Sequence, residues 1–111
     1  MAIIKSIPSQ RIVNGFIQNT SEVVIASEAN YSTQGEACLI VRAVPQAKVT
    51  LNSTTTDHVV VKTLCHTTIL PDIGKIDEDY DEVVTERGAC IEFRFVGGNW
   101  YILSSDGLKQ S

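Results

Sequence analysis

Val and Ile supply 24 of the 111 residues and Thr another 10, spread along the whole chain. Branching at Cβ crowds the preceding turn of a helix and suits a pleated, half-buried surface. No stretch of helical length carries apolar positions at helical spacing. Instead, short apolar runs recur roughly every 8 to 12 residues between turn residues, the pattern of a sandwich or barrel. The expected fold is therefore all-β, a jelly-roll-like antiparallel β-sandwich. A chain of 111 residues holds one ordinary domain and not two. At this size it buries roughly 65% of its unfolded surface, enough for a core without staples.

The runs are Arg11 to Ile17, Glu22 to Ser27, Glu36 to Val44, Lys48 to Asn52, His58 to Leu64, Cys65 to Leu70, Ala89 to Val96 and Trp100 to Ser104. Glu36 to Val44 is continuous and mostly apolar, so it reads as a central strand closed by Pro45. Glu28 to Gly35 reads as a polar connection, and Ser53 to Thr56 as a hydroxyl-rich one. No internal repeat is apparent.

The strongest local signal is the last pair of runs. Ile91, Phe93 and Phe95 fall on one face and Cys90, Glu92 and Arg94 on the other. Gly97-Gly98 supplies positive φ for a two-residue hairpin turn, and Trp100 with Ile102 returns to the side of the phenylalanines. These five residues, Ile91, Phe93, Phe95, Trp100 and Ile102, are the expected core of the hairpin. Burying Phe93, Phe95 and Trp100 contributes on the order of 2–3 kcal/mol each before entropy is counted.

Composition narrows the function. The net charge is -4, which argues against a nucleic-acid partner. No apolar run approaches 18 residues, so no membrane helix is expected. The start, Met1 to Pro8, is interrupted by Lys5 and lacks the basic start and long apolar stretch of a secretory signal, so folding in a cytoplasm is expected. Cys38, Cys65 and Cys90 are odd in number and widely spaced, and read as small buried hydrophobes rather than a disulfide framework.

Catalytic and metal chemistry finds little support. Six of the 13 acids fall between Asp77 and Glu86. Asp77, Asp79 and Asp81 alternate like the first ligands of a calcium loop. The sixth position is Glu82 and the twelfth Gly88, where that loop needs Gly and Glu. Asp77, Glu78, Asp79, Asp81 and Glu82 instead read as a solvated loop or an acidic docking patch. Cys65 and His66 are adjacent and point to opposite faces of a strand, so they cannot pair as nucleophile and base. Zinc spacing, nucleophile elbow and phosphate loop are missing from the sequence. No enzyme, no metal and no cofactor is the expectation. Tyr101, with Tyr80 or Tyr31, offers an aromatic surface on which a sugar ring could stack, as in carbohydrate-binding sandwiches.

A longer pattern runs from Thr67-Thr68-Ile69-Leu70-Pro71-Asp72 through Ile73-Gly74-Lys75-Ile76 and the acidic loop with Tyr80. It continues through Arg87-Gly88-Ala89-Cys90-Ile91-Glu92-Phe93 to Gly98-Asn99-Trp100-Tyr101-Ile102-Leu103-Ser104-Ser105-Asp106-Gly107. This resembles the small β domains of tailed-phage structural proteins, and among them the capsid decoration (staple or cement) proteins of the epsilon-fifteen type of short-tailed phage. The resemblance implies a non-enzymatic virion protein, made in the host cytoplasm, that staples the outer capsid surface by binding the major capsid protein. It also implies a homodimer or other homo-oligomer on the capsid. Residues 1–16 read as an N-terminal arm or edge strand and 17–111 as the sandwich domain. Ile3, Ile4, Ile7, Ile12 and Phe16 of that segment, with Tyr101, are the expected capsid or self interface. The alternative is a carbohydrate-binding module of a phage tail or receptor-binding apparatus.

Overall fold

A computed structural model describes residues 22–108 of the chain. The expected arm, with Ile3, Ile4, Ile7, Ile12 and Phe16, lies outside the described residues. Within them the protein is all-β, with eight strands: β1 (Val23–Ala26), β2 (Asn30–Ser32), β3 (Cys38–Val41), β4 (Gln46–Leu51), β5 (His58–Thr63), β6 (His66–Pro71), β7 (Val83–Val96) and β8 (Asn99–Leu108).

The strands form one nearly closed sheet in the order β1-β3-β5-β7-β6-β4-β2, with β8 paired to β7. The odd strands β1, β3 and β5 make one wall and the even strands β2, β4 and β6 the other, and every pair within a wall is parallel. The chain thus passes from wall to wall as a flattened three-turn coil. This corrects the expectation of an antiparallel jelly roll. Parallel neighbours need a long crossover, and here the strand on the opposite wall supplies it. Short corners such as 27–29 and 64–65 send the chain across to the other wall instead of folding it back beside itself.

Antiparallel pairing is confined to the end of the coil. β7 is long enough to close both walls: Val83, Val84 and Thr85 lie opposite Ile69, Thr68 and Thr67 of β6. Farther along, Cys90 to Arg94 lie opposite Lys62 to His58 of β5. Between these halves the strand bends at Gly88, whose φ is +97°. Thr63, fully buried, holds the bend. Its hydroxyl donates to the Glu86 carbonyl at 2.9 Å and accepts the Ala89 N–H at 3.2 Å. A two-residue turn at Gly97-Gly98, both at positive φ, then returns the chain along β8.

The core fills the space between the walls in stacked columns. Val24, Leu39, Val61 and Ile91 stand in register on β1, β3, β5 and β7. Tyr31, Val49, Ile69 and Val83 do the same on β2, β4, β6 and β7. Leu39, Val61, Ile91, Val49 and Ile69 are all fully buried, contributing about 1.5–3 kcal/mol each before entropy. Phe93 and Trp100 are buried too, while Phe95 and Ile102 are partly buried and pack on the core. The Phe95 and Trp100 rings meet at 5.2 Å with a 52° tilt, within the range aromatic pairs favour.

Candidate interaction surface

The strand alternation that fills the core also decides what each wall shows outside. On the even wall the outward residues include Asn30, Ser32, Gln46, Lys48, Thr50, His66 and Thr68, an ordinary wet surface. On the odd wall Val23, Ile25, Cys38, Ile40 and Val60 stand in register across β1, β3 and β5, with His58 and Lys62 on the same face of β5 and Lys62 opposite Ile40. Val23 is 41% and Ile25 55% exposed. None of the five belongs to the core cluster, and no described strand lies over them. Of the five, Val23 and Ile25 are exposed, and Cys38, Ile40 and Val60 are half-buried.

Toward β7 and β8 this patch gives way to polar groups. His58 Nε2 lies 2.6 Å from Glu92 Oε2, and Ser104 Oγ donates to Glu92 Oε1 at 3.1 Å. The His58 bond, then the Ser104 bond, hold the Glu92 carboxyl below its ordinary value. The three residue types are those of a hydrolase triad, but the order differs. The carboxylate sits in the middle and bonds both partners, a different order from the Ser–His–Asp relay. Burial, with the neighbouring Cys90 and the Glu36 charge, pushes the Cys38 thiol up, which keeps it a neutral apolar group in the patch. Cys38, Cys65 and Cys90 are all free thiols.

The acidic loop is folded back on β8. Asp77 and Glu78 sit at φ of +52° and +65°, a region that costs most residues about 1–2 kcal/mol each. That backbone turns their carboxylates inward. Asp77 Oδ1 accepts the Ile102 N–H at 3.0 Å and Glu78 Oε2 accepts the Tyr101 hydroxyl at 2.7 Å. Asp81 pairs with Lys75 at 2.6 Å. Of the five acids expected to form a docking patch, Asp77, Glu78 and Asp81 are engaged within the chain, while Asp79 and Glu82 are exposed without such bonds. Among the described residues no group of three or more His, Cys, Asp or Glu side chains converges as a metal site.

Tyr101 stands half-buried on the outer face of β8, opposite Arg94. Its bond to Glu78 pushes the phenol up. Tyr31 packs against the core, and Tyr80 is the exposed ring, at 54%. The aromatic surface expected for a sugar therefore loses Tyr31 to the interior.

The odd-wall patch had a signal in the sequence that alternation alone does not use. Cys38 to Val41 is apolar at every position, which means a strand covered on both faces. One face meets the core, and the other is the patch. The His58–Glu92–Ser104 cluster had no such signal, because its members lie on three strands that only the topology brings together. The chain matches no protein-family model, no curated protein and no solved structure.

Proposed function

We propose that the protein is a non-enzymatic structural protein of a phage virion, which decorates and staples the outer capsid surface by binding the major capsid protein. The odd-wall patch of Val23, Ile25, Cys38, Ile40 and Val60 is the contact face. That patch is the single observation carrying the reading. It is apolar and in register, as a surface that seats on another protein should be, and His58 and Lys62 flank it on β5. The phage-like pattern from Thr67 to Gly107 supplies the identity of the partner. Binding only the assembled shell stabilises it by mass action, with no chemistry required.

The test is co-sedimentation of the chain with empty capsids, followed by light scattering of the chain alone. Wild type is expected to travel with capsids. Ile25→Lys and Ile40→Lys place charges in the patch and are expected to weaken attachment by at least ~10-fold, roughly the effect of 1.4 kcal/mol. Lys48→Glu, on the even wall, is expected to attach normally. A wild-type chain that ignores capsids overturns the reading.

A further inference from the structure

The charges of this molecule are unevenly shared among its faces. All 13 acids lie within the described residues, with six of the nine Lys and Arg: Arg42, Lys48, Lys62, Lys75, Arg87 and Arg94. Three of those six stand around one feature, the apolar patch of the odd wall. The alternation of β3 carries past its end, so Arg42 follows Cys38 and Ile40 on the outer face, and its N–H still bonds to the Ala26 carbonyl. Lys62 lies opposite Ile40 on β5. Arg94, outward on β7, lies opposite His58. Arg42 and Arg94 are exposed and Lys62 is half-buried.

The acids of that face are fewer. Glu92 is held by His58 and Ser104. Glu36, whose charge reaches Cys38, is buried. Asp106 lies opposite Cys90 on β8, at the far side from the patch. Among the described residues the ion pairs are His58–Glu92, His66–Glu86 and Lys75–Asp81, and Arg42, Lys62 and Arg94 belong to none of them. In a chain with a net charge of -4, cations have acids to spare. These three are set instead around an apolar area, two at one end of the strands and one at the other.

We propose that the surface this patch meets is acidic: an apolar protein face bordered by Asp or Glu carboxylates. The partner's identity rests on the capsid reading, while its chemistry rests on the residues just named. Apolar groups at the centre of such a contact supply buried area. Charges at its rim choose the partner and speed encounter. Two of the three are arginines, whose planar fork matches a carboxylate. A nucleic acid fits less well, because its phosphates need cations where this face has Cys38, Ile40 and Val60. Two copies of this face carry like charge, which opposes self-pairing.

Chromatography on a mixed phenyl–carboxylate resin at neutral pH tests the chemistry without capsids. The net charge of -4 turns the molecule away from carboxylates, and this face turns it toward them. The full chain is expected to be retained at low salt and to elute as salt rises. Arg42→Glu combined with Lys62→Glu is expected to flow through. Lys48→Glu combined with Lys75→Glu makes the same charge change away from the face and is expected to stay retained. A plain carboxylate resin without phenyl groups is expected to release the chain earlier. Flow-through of the wild type overturns the proposal, as does equal retention of the face variant and its control. Equal retention on the plain resin overturns it too, because charge alone then suffices. Urea midpoints check that each variant folds, and Arg42→Gln combined with Lys62→Gln reads the same loss should the charge reversal unfold the chain.

Capsid attachment separates this inference from the reading it deepens. Attachment is expected to weaken at least ~10-fold between low salt and about 0.5 M salt, and by a similar factor in the face variant. Attachment indifferent to both overturns the acidic partner and leaves the capsid reading standing. Retention on the mixed resin by a chain that ignores capsids supports the acidic partner and overturns the capsid reading.

Discussion

The two ends of the coil are built from the same strand type and finished differently. At the β7–β8 end the sheet closes on itself, and Trp100 fills the cap. Its indole N–H donates to Asp72 Oδ1 at 3.4 Å, and Ile76 from the preceding loop bridges to it. At the β1–β2 end the strands are four and three residues long, one edge of each is unpaired among the described residues, and Tyr31 is half-buried where Trp100 is fully covered. In a coil each turn rests only on its neighbours, so stability depends on how the terminal turns are covered. The capped end should carry the larger share of global stability, and the first turn should open locally. Substitutions at the two ends separate these.

Trp100→Ala should have the largest effect. Removing a fully buried indole from the cap costs about 3–5 kcal/mol, against about 0.5 kcal/mol for Val23→Ala on the half-exposed first strand. Urea denaturation measures both. Equal losses would break the comparison.

Gly74→Ala comes next. At this glycine φ is +70°, and an added Cβ would sit 1.9 Å from the Gly98 carbonyl oxygen. The loop and the Gly97-Gly98 turn are packed backbone to backbone, so neither can yield, and a loss of about 2–4 kcal/mol is expected. Gly97→Ala is the control. It has φ +58° but meets nothing within 4 Å, so only the left-handed backbone, about 1 kcal/mol, is charged.

How much of this was legible in the sequence also divides between the ends. The β7–β8 hairpin announced itself through Ile91, Phe93 and Phe95 at alternate positions and the Gly97-Gly98 turn, all local signals. The coil did not. Its repeat spacing varies from 15 to 22 residues, so no fixed period appears, and parallel pairing leaves no local mark. β2 was hidden because Asn30-Tyr31-Ser32 is short and polar, and only its central residue faces the core. The first half of β7 was hidden at the end of the acidic stretch: Glu86 is a strand residue whose carboxylate lies 3.0 Å from His66 Nδ1. The acidic patch was legible as composition, but its inward turn depends on the φ values of Asp77 and Glu78, which no residue preference forecasts.

Asp72→Ala tests the corner at which Ser53 donates to Asp72. Burial pushes this carboxyl up, but the Ser53 bonds, the Trp100 indole and the Ile73 N–H together hold it below the ordinary value. Its loss leaves those donors unmet and should cost about 1–2 kcal/mol. The same lowering makes its contribution present above pH 3.8 and lost as pH falls through the folded value. Asp72→Asn should therefore flatten part of the acid limb of a stability–pH curve.

The smallest effect belongs to Tyr31 and reads the open end. Burial, then the charge of Glu36 and a hydrogen bond to it, push the phenol from 10.0 up to about 12. A phenol whose folded value is raised resists losing its proton. Its contribution is complete below pH 10 and disappears as pH climbs from about 10 to 12. Tyr31→Phe should remove that part of the alkaline slope while leaving stability at pH 7 nearly unchanged. Tyr101, raised by its bond to Glu78, should leave a weaker slope that Tyr101→Phe removes. Tyrosinate absorbance and urea midpoints between pH 8 and 12 follow both. If local opening of the first turn precedes global unfolding, Tyr31 should ionise in the folded protein below about pH 12, and the slope that Tyr31→Phe removes should be correspondingly small. Should its ionisation instead coincide with global unfolding, the first turn is as firmly covered as the cap, and the contrast between the two ends fails at the point where Glu36 and Tyr31 meet.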